Sequence, residues 1–536
     1  MEATAELTRA ATGLNDAAEM TTEDVKGHIY RNSLSNYSFL VVRMGLGMVL
    51  FRLIFQKLPR EDFGFWSVLW SMLGYGILLD FGFGFTAQKR VAELCVKRDW
   101  NCLSRVLSTI FYTYVVVALL IITVGYFAAP LIVASLKISP HNLERYTLAM
   151  RVFLVGIGIA FPLGMFPEML RGQQRIFLAN NLQLVSYLVS FTLILIALEK
   201  DWSLIWLFVF SLGGTLLGDF LCGIAAMRRM PRVCISPALF SRAMIRETTR
   251  FSVYAYVNTL TTVILTRTDQ IVISAGLAVA AVAIYQAGAK VAEMFSGFSL
   301  QIAETLSPAA AHFHAKGSRA ELRELLIKGT RFTVLLATPL YLCCAFFLPG
   351  VLKILTGALA DPQTYWVGQI LLLWTYMTVL TQSVSKRIFM MCGHEKRLMW
   401  LGLGEAGMNL GLSIALILIF KNVLCVAAGS LIATCFFGWL FIWPWAAKEA
   451  GIGSWKLARA VLFPAWVACW PLIGLISIIR LLPKLSASDS FGMFLIEGTV
   501  AGIVAVLGLW KLGLDDDERA KFAGYFLRRF RRRSAA

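Results

Sequence analysis

The chain has 536 residues, of which 58% are hydrophobic and 15% charged, with a formal net charge of +18 and a mean hydropathy of +0.69. That balance excludes a soluble multidomain enzyme and places the chain in the membrane class. The positive charge does not indicate a nucleic-acid partner, because the basic residues lie between hydrophobic runs rather than along one folded face.

Residues 1–33 carry Glu2, Glu6, Asp16, Glu19, Glu23 and Asp24. This is the opposite of the basic start and short apolar core of a signal peptide, and it predicts a polar cytoplasmic extension. Runs of about 20 mostly apolar residues then predict about fourteen membrane helices. The first six lie near 34–55, 63–86, 106–130, 147–169, 176–198 and 203–226. The next six lie near 251–276, 279–305, 332–355, 365–390, 398–420 and 423–446, and a last pair near 458–480 and 491–512. The eighth, containing "QAGAKVAEMFSGFSLQIAETL", is more amphipathic than lipophilic, as expected of a helix with one face on a cavity. A basic tail, "LRRFRRR" at Leu527–Arg533, follows the linker "DDDERAK". It reads as a topology signal, or as an attractor of anionic headgroups.

With the N-terminus inside, roughly 36 basic residues fall in inner segments and about 9 in outer ones, which predicts that both termini are cytoplasmic. Connections are short, the longest outer one being about fifteen residues around "ASLKISPHNLERYT". No loop is large enough for a catalytic domain, so a membrane enzyme of polysaccharide assembly is disfavoured and the chain is expected not to be an enzyme.

An internal repeat of about 220 residues relates "SNYSFLVVRMGLG…REDFGFWSVLWSM" to "YAYVNTLTTVILTRTDQ…VAAVAIYQAGAKV". An even number of helices per repeat gives parallel repeats, as in two-lobed transporters. The expected architecture is all-α: a polytopic bundle with six-helix lobes at 34–240 and 241–450, an appended pair at 451–513 and a cytoplasmic tail at 514–536.

Charges inside the membrane are expensive and mark function or pairing. On the seventh helix, Asn258, Thr261, Thr262, Leu265, Thr266 and Asp269 share one face, and Arg267 lies nearly opposite Asn258. Arg267 and Asp269, two residues apart, do not face each other. Asn36, Arg43 and Gly47 share a face of the first helix, and Lys290 and Glu293 are spaced to pair on the eighth. Arg43, Arg267 and Lys290 either line a cavity or pair within the protein. Arg52 and Arg151 near outer ends, and Asp219 and Glu304 near inner ones, are placed to snorkel. Asp80 and Glu405 are further charges inside predicted helices.

The ten cysteines are scattered without a CxxC pairing, and "HFH" at His312–His314 has no nearby Cys or carboxylate to complete a metal site. "DFG" at Asp80–Gly82 lacks the catalytic loop of a kinase, and "GFGF" lacks the setting of a phosphate loop. No metal or cofactor is expected.

"EDFGFWSVLWSMLGYGILLDFGFGFTAQKRVAE", "TRTDQIVISAGLAVAAVAIYQAGAKV" and "ETLSPAAAHFHAKG" resemble segments of polysaccharide flippases in the multidrug/oligosaccharidyl-lipid/polysaccharide exporter superfamily. Ala283 stands where that family usually has glycine. The resemblance covers about residues 30–450. It implies a V-shaped, two-lobed bundle that flips a lipid-linked oligosaccharide across the cytoplasmic membrane by alternating access. Arg43, Arg267 and Lys290 would bind the pyrophosphate-sugar headgroup, arginine through its forked donors. Asp269 and Glu293 would neutralise these cations or bind a coupling ion, H+ or Na+. Membrane lipids and polysaccharide-assembly proteins are the expected partners. A cation-coupled multidrug antiporter of the same superfamily is the alternative, and the prominence of cations weighs against it.

The charge asymmetry makes a direct prediction. In a cysteine-free background, Ala360→Cys should be modified by an impermeant maleimide from outside and Ala320→Cys should be spared. The reverse pattern would overturn the orientation.

Overall fold

The computed structural model describes residues 42–76, 83–136, 138–173, 175–242, 253–304, 306, 310, 313–314, 317–357, 361–481 and 491–520. The acidic extension, Asn36, the triplet Asp80–Gly82, His312 and the basic tail lie outside the described residues.

Among the described residues the elements are helices. They are α1 (42–57), α2 (Arg60–Gly76), α3 (Phe83–Lys97), α4 (Trp100–Ser135), α5 (Leu143–Leu163), α6 (Met165–Gly172), α7 (Ile176–Glu199), α8 (Leu204–Arg229), α9 (Val253–Gly276), α10 (Val279–Glu304) and α11 (Arg319–Thr356). They continue with α12 (Pro362–Thr378), α13 (Val384–Met391), α14 (Glu395–Phe420), α15 (Leu424–Phe437), α16 (Trp443–Glu449), α17 (Ser454–Ala468), α18 (Trp470–Leu481) and α19 (Phe491–Gly508). One π-helical turn, Val379–Ser383, joins α12 to α13, and another, Gly438–Ile442, joins α15 to α16.

The all-α membrane class expected from sequence is the one found. Nine described helices are long and apolar enough to cross a bilayer, or ten if one bent pair counts as a single span. The expected count of fourteen is not reached by that measure. Among the helices outside it, α9 and α10 run to 24 and 26 residues but carry many polar side chains. The span expected at 458–480 is broken: α17 and α18 meet at Cys469 with a 45° bend. Pro471, next to the break, cannot supply a helical N–H. Gly508 packs there so closely that a Cβ would come within 2.3 Å of the Ala468 carbonyl oxygen.

The chain divides into two compact units. The first comprises Met1–Leu260 and Ala278–Ala280, and the second Thr261–Leu277 and Ala281–Ala536. In the first, α4 packs on α5, α5 on α8, and α7 on α8, while α3 and α6 close one end. The core at that end collects Phe83, Val91, Leu103, Leu107, Met165, Met169, Cys222 and Met230. Helix α4 shows how lipid and protein share one helix. Leu103, Leu107 and Ile110 in its first half are buried, whereas Leu120, Val124, Phe127 and Leu131 in its second half are exposed, as suits a hydrocarbon solvent. Asp99 caps it by accepting from the Cys102 N–H at 3.0 Å. The buried Asp62 of α2 is satisfied by α5, with Arg145 donating at 2.8 Å and the Tyr146 hydroxyl at 2.5 Å.

In the second unit α14 packs on α15, α12 on α15, and α11 on α17. Its core joins Leu326, Val334, Val384, Ile388, Trp443, Trp445, Leu457 and Val461. Leu472 and Ala501 of α18 and α19 pack with Leu342 and Phe347 of α11, which ties the last pair to this unit. Helices α10 and α12 touch through glycine. A Cβ on Gly288 would lie 2.8 Å from the Gly368 nitrogen and 2.9 Å from the Thr364 oxygen, both backbone atoms that cannot step aside.

Gly288→Val should therefore destabilise the protein by roughly 1–3 kcal/mol, the usual cost of overpacking. A lower midpoint in a detergent thermal-shift assay, with no such loss for the open-space Gly411→Val, is the expected result. Equal stability of the two variants would contradict this close approach.

Candidate functional site

Polar residues inside each unit gather on helix seams. In the first unit they surround a cavity of about 170 Å³. Helix α7 contributes Gln183, Tyr187 and Ser190, and α8 contributes Ser211, Thr215 and Asp219. Both helices are mostly apolar, and the spacing of these residues keeps them on one face of each. Arg43 of α1 and Trp70 of α2 complete the wall. The Arg43 guanidinium lies over the Tyr187 ring, 5.9 Å from its centroid. The Trp70 Nε1 donor is buried and has no hydrogen-bond acceptor among the described residues.

Asp219 departs from expectation. Sequence spacing placed it to snorkel, yet it is buried on this wall and accepts from Gln183 Nε2 at 3.4 Å. Gln183 in turn accepts from Arg171 at 3.5 Å, and Arg171 pairs with Glu168. Arg151 does not reach for a headgroup alone. It donates to the Tyr126 carbonyl at 3.3 Å and stacks on that ring at 4.3 Å.

In the second unit the two charges of α9 are treated differently. Arg267 is half-buried, whereas Asp269 is 5% exposed. Asp269 Oδ2 accepts from the Tyr285 hydroxyl of α10 and from Ser430 Oγ of α15 at 3.2 Å. Ser430 Oγ also accepts from Asn409 Nδ2 of α14 at 2.7 Å. Three buried oxygens of this cluster, Asp269 Oδ1, Asn409 Oδ1 and Ser413 Oγ, have no hydrogen-bond partner among the described residues. Burial disfavours a bare carboxylate, so such a cluster suits a proton or a small hard cation.

The shared face expected on α9 is only partly uniform. Thr261 and Asp269 are buried, while Thr262 and Thr266 are exposed. The expected pair on α10 is present, with Lys290 Nζ 3.2 Å from Glu293 Oε2 and both side chains partly exposed. The structure thus groups Asp269 with Tyr285, Ser430 and Asn409, with Ser413 one turn further along α14 against Gly429, and groups Arg43 with Trp70, Tyr187 and Asp219. Sequence reasoning left most of these companions unnamed. The signal was there as polar residues at i, i+4 spacing on apolar helices: Gln183 and Tyr187, Asn409 and Ser413, Ser430 and Thr434.

The ten cysteines are free. Among the described residues no group of three or more His, Cys, Asp or Glu side chains is placed to hold a metal ion. Cys392, at the end of α13, has a thiol raised above its usual range by burial, with Glu449 adding to the shift.

Residues 29–314 match the family model described as "Polysaccharide biosynthesis protein". No curated protein matches the chain. Among solved structures, the lipid II flippase MurJ in an inward closed conformation aligns with a TM-score of 0.67 at 13% identity, covering 89% of this chain and 97% of that one. An inward-facing multidrug resistance MATE family transporter of the MOP superfamily aligns at 0.65 and 15% identity, covering 78% and 96%. A MOP superfamily transporter from Pyrococcus furiosus, described by a reverse polarity of its binding pocket, aligns at 0.55 and 14% identity, covering 81% and 96%. At these identities the likeness is one of fold.

Proposed function

The chain belongs to the polysaccharide biosynthesis protein family, and from that premise we propose that it flips a lipid-linked oligosaccharide or polysaccharide precursor across the cytoplasmic membrane. Both termini would be cytoplasmic, and the expected lobes would work by alternating access rather than by catalysis. The observation that carries this reading is the cavity wall of the first unit. It combines the Arg43 guanidinium, the partnerless Trp70 donor, the Tyr187 ring and the hydroxyls of Ser190, Ser211 and Thr215. An anionic, acceptor-rich headgroup with sugar rings needs donors, a fixed cation and an aromatic face. Arg267 and Lys290 are the further cations assigned to the headgroup, with Glu293 balancing the Lys290 charge as its ion-pair partner in the empty state.

Asp269 is assigned to the coupling ion, H+ or Na+. Its buried, partnerless Oδ1 beside the free oxygens of Asn409 and Ser413 supports that role. The tail of the lipid carrier would remain among membrane lipids, and proteins of polysaccharide assembly would deliver and receive the cargo.

One observation favours a second reading, a cation-coupled multidrug antiporter. Asp219 shares the cavity with Arg43, so the wall carries one charge of each sign. The MATE family transporter also shares the fold. Transport of an organic cation that depends on Asp219 and ignores Arg43 would establish this reading.

The flippase reading is tested by flipping of a labelled lipid-linked sugar in proteoliposomes, measured beside protein abundance. Loss of a hydrogen bond to a charged group is worth about 1.5–3 kcal/mol, so Arg43→Ala should slow flipping by roughly 10-fold or more at near-normal abundance. Arg43→Lys should rescue only in part, since a point charge does not copy the fork. Arg267→Ala should behave in the same way as Arg43→Ala. Normal flipping by a stable Arg43→Ala, Arg267→Ala double variant would sink the proposal.

A further inference from the structure

A second buried carboxylate lies one helical turn from the Asp269 cluster on the same α14 face. Glu405 precedes Asn409 by four residues, as Ser430 precedes Thr434 on α15, so the seam carries two polar rungs about 6 Å apart. Glu405 is 1% exposed. Its Oε1 accepts from Thr434 Oγ1 at 2.9 Å and from Gln382 Nε2 at 2.9 Å. Its Oε2 accepts from Lys386 Nζ at 3.0 Å. Thr434 Oγ1 is itself fixed by Trp374 Nε1 at 2.9 Å, and Gln382 Nε2 also donates to the Thr434 carbonyl at 3.3 Å.

Two further features point to a ligand. Gln382 is 1% exposed, and its Oε1 is buried with no hydrogen-bond partner among the described residues. Turning the amide over exchanges this oxygen with the nitrogen that now faces Glu405. The π-helical turn Val379–Ser383 holds Gln382 at this place, and the second π-helical turn begins at Gly438 directly against it. A Cβ on Gly438 would meet Thr381 Oγ1 at 2.4 Å and Gln382 Nε2 at 3.4 Å. Single π turns recur at functional sites, because they displace one residue from the helical register.

We propose that Glu405, Thr434 and Gln382 form a second site for a small hard cation such as Na+, and that Lys386 keeps it closed with its own ammonium. The donors are oxygens: two from the carboxylate, the Thr434 hydroxyl and carbonyl, and the Gln382 amide oxygen after rotation. Hard cations take such sets. The Lys386 ammonium carries the same single charge, and its tether gives it a high effective concentration, so it outcompetes a dissolved ion. Lys386 is thus a specificity-determining residue. It confines exchangeable-ion binding in the second unit to the Asp269 cluster and sets the ion count at one. Only that count rests on the Asp269 reading above.

The test is Na+ binding to the purified full chain in nanodiscs, by 22Na equilibrium binding. Wild type should bind one equivalent and Lys386→Met two, and the added equivalent should disappear in Lys386→Met, Glu405→Gln. In Asp269→Asn, Lys386→Met one equivalent should remain, lost again on Glu405→Gln. If Asp269 takes H+ rather than Na+, or the Asp269 reading fails, wild type binds none while Lys386→Met still binds one, so the two ideas fail separately. Should Lys386→Met be too unstable to purify, its abundance in membranes should rise with Na+ far more than that of wild type. The neutral pair Lys386→Met, Glu405→Gln should be abundant without Na+. Unchanged stoichiometry in a folded Lys386→Met, an added equivalent that survives Glu405→Gln, or Na+-independent depletion of Lys386→Met would each overturn the proposal.

Discussion

In hydrocarbon an unpaired polar group has no water to fall back on, and this constraint arranges the whole chain. Backbone groups meet it by forming helices throughout the described residues. Side chains meet it by turning inward onto seams, where several carboxylates and amides find partners on a neighbouring helix. The Asp62–Arg145–Tyr146 group, the Gln183–Asp219 pair and the Asp269–Ser430–Asn409 chain are three instances at different places. Hydroxyl residues inside the helices mostly bond back to the turn before, as Thr330 does to Leu326 and Thr338 to Val334, so they add polarity without demanding a partner.

Partial satisfaction then marks the places that can do something. A seam whose oxygens are all partnered is structure. The Asp269 cluster leaves three oxygens open, and the first-unit cavity leaves the Trp70 donor open. One opening offers acceptors and the other a donor beside a guanidinium. They therefore suit opposite ligands, a cation in the second unit and an anion or sugar in the first. That division makes the flippase reading more economical than a pocket built for organic cations alone, since the carboxylate of Asp219 is already engaged by Gln183.

The all-α membrane class was legible in the sequence because length and apolarity decide it, whereas the count of fourteen was not: nine or ten described helices meet that measure. The partners of the charged residues were much less legible. Helices α7 and α14 face lipid on one side and protein on another, and both sides are apolar, so the usual contrast between faces is weak. Only the polar minority carries the pattern, and it was readable on α9 but passed over on α7, α8, α14 and α15. The break at Cys469 had its signal in Pro471. The π turns had none, because one inserted residue leaves no mark in hydropathy and is fixed by what packs against it, here Gly438 against Thr381. Asp219 was misplaced for a related reason. Depth along a helix suggested an exit to water, whereas its rotation about the axis turned it toward α7.

Asp269 and Glu405 show how far context separates two identical functional groups. Both are buried carboxylates on the α14–α15 seam, and both accept a hydroxyl from α15. Asp269 receives hydroxyl donors and keeps one oxygen unpartnered, while Glu405 has both oxygens engaged, one of them by an ammonium. The Glu405 charge is matched by the partly exposed Lys386 ammonium, whereas Asp269 meets hydroxyl donors alone. Of the two, only Asp269 keeps an acceptor open to a further ligand. On the proposed reading the Glu405–Lys386 pair would be the fixed partner and Asp269 the exchangeable one, the first from α14 and the second reaching the same α14–α15 seam from α9.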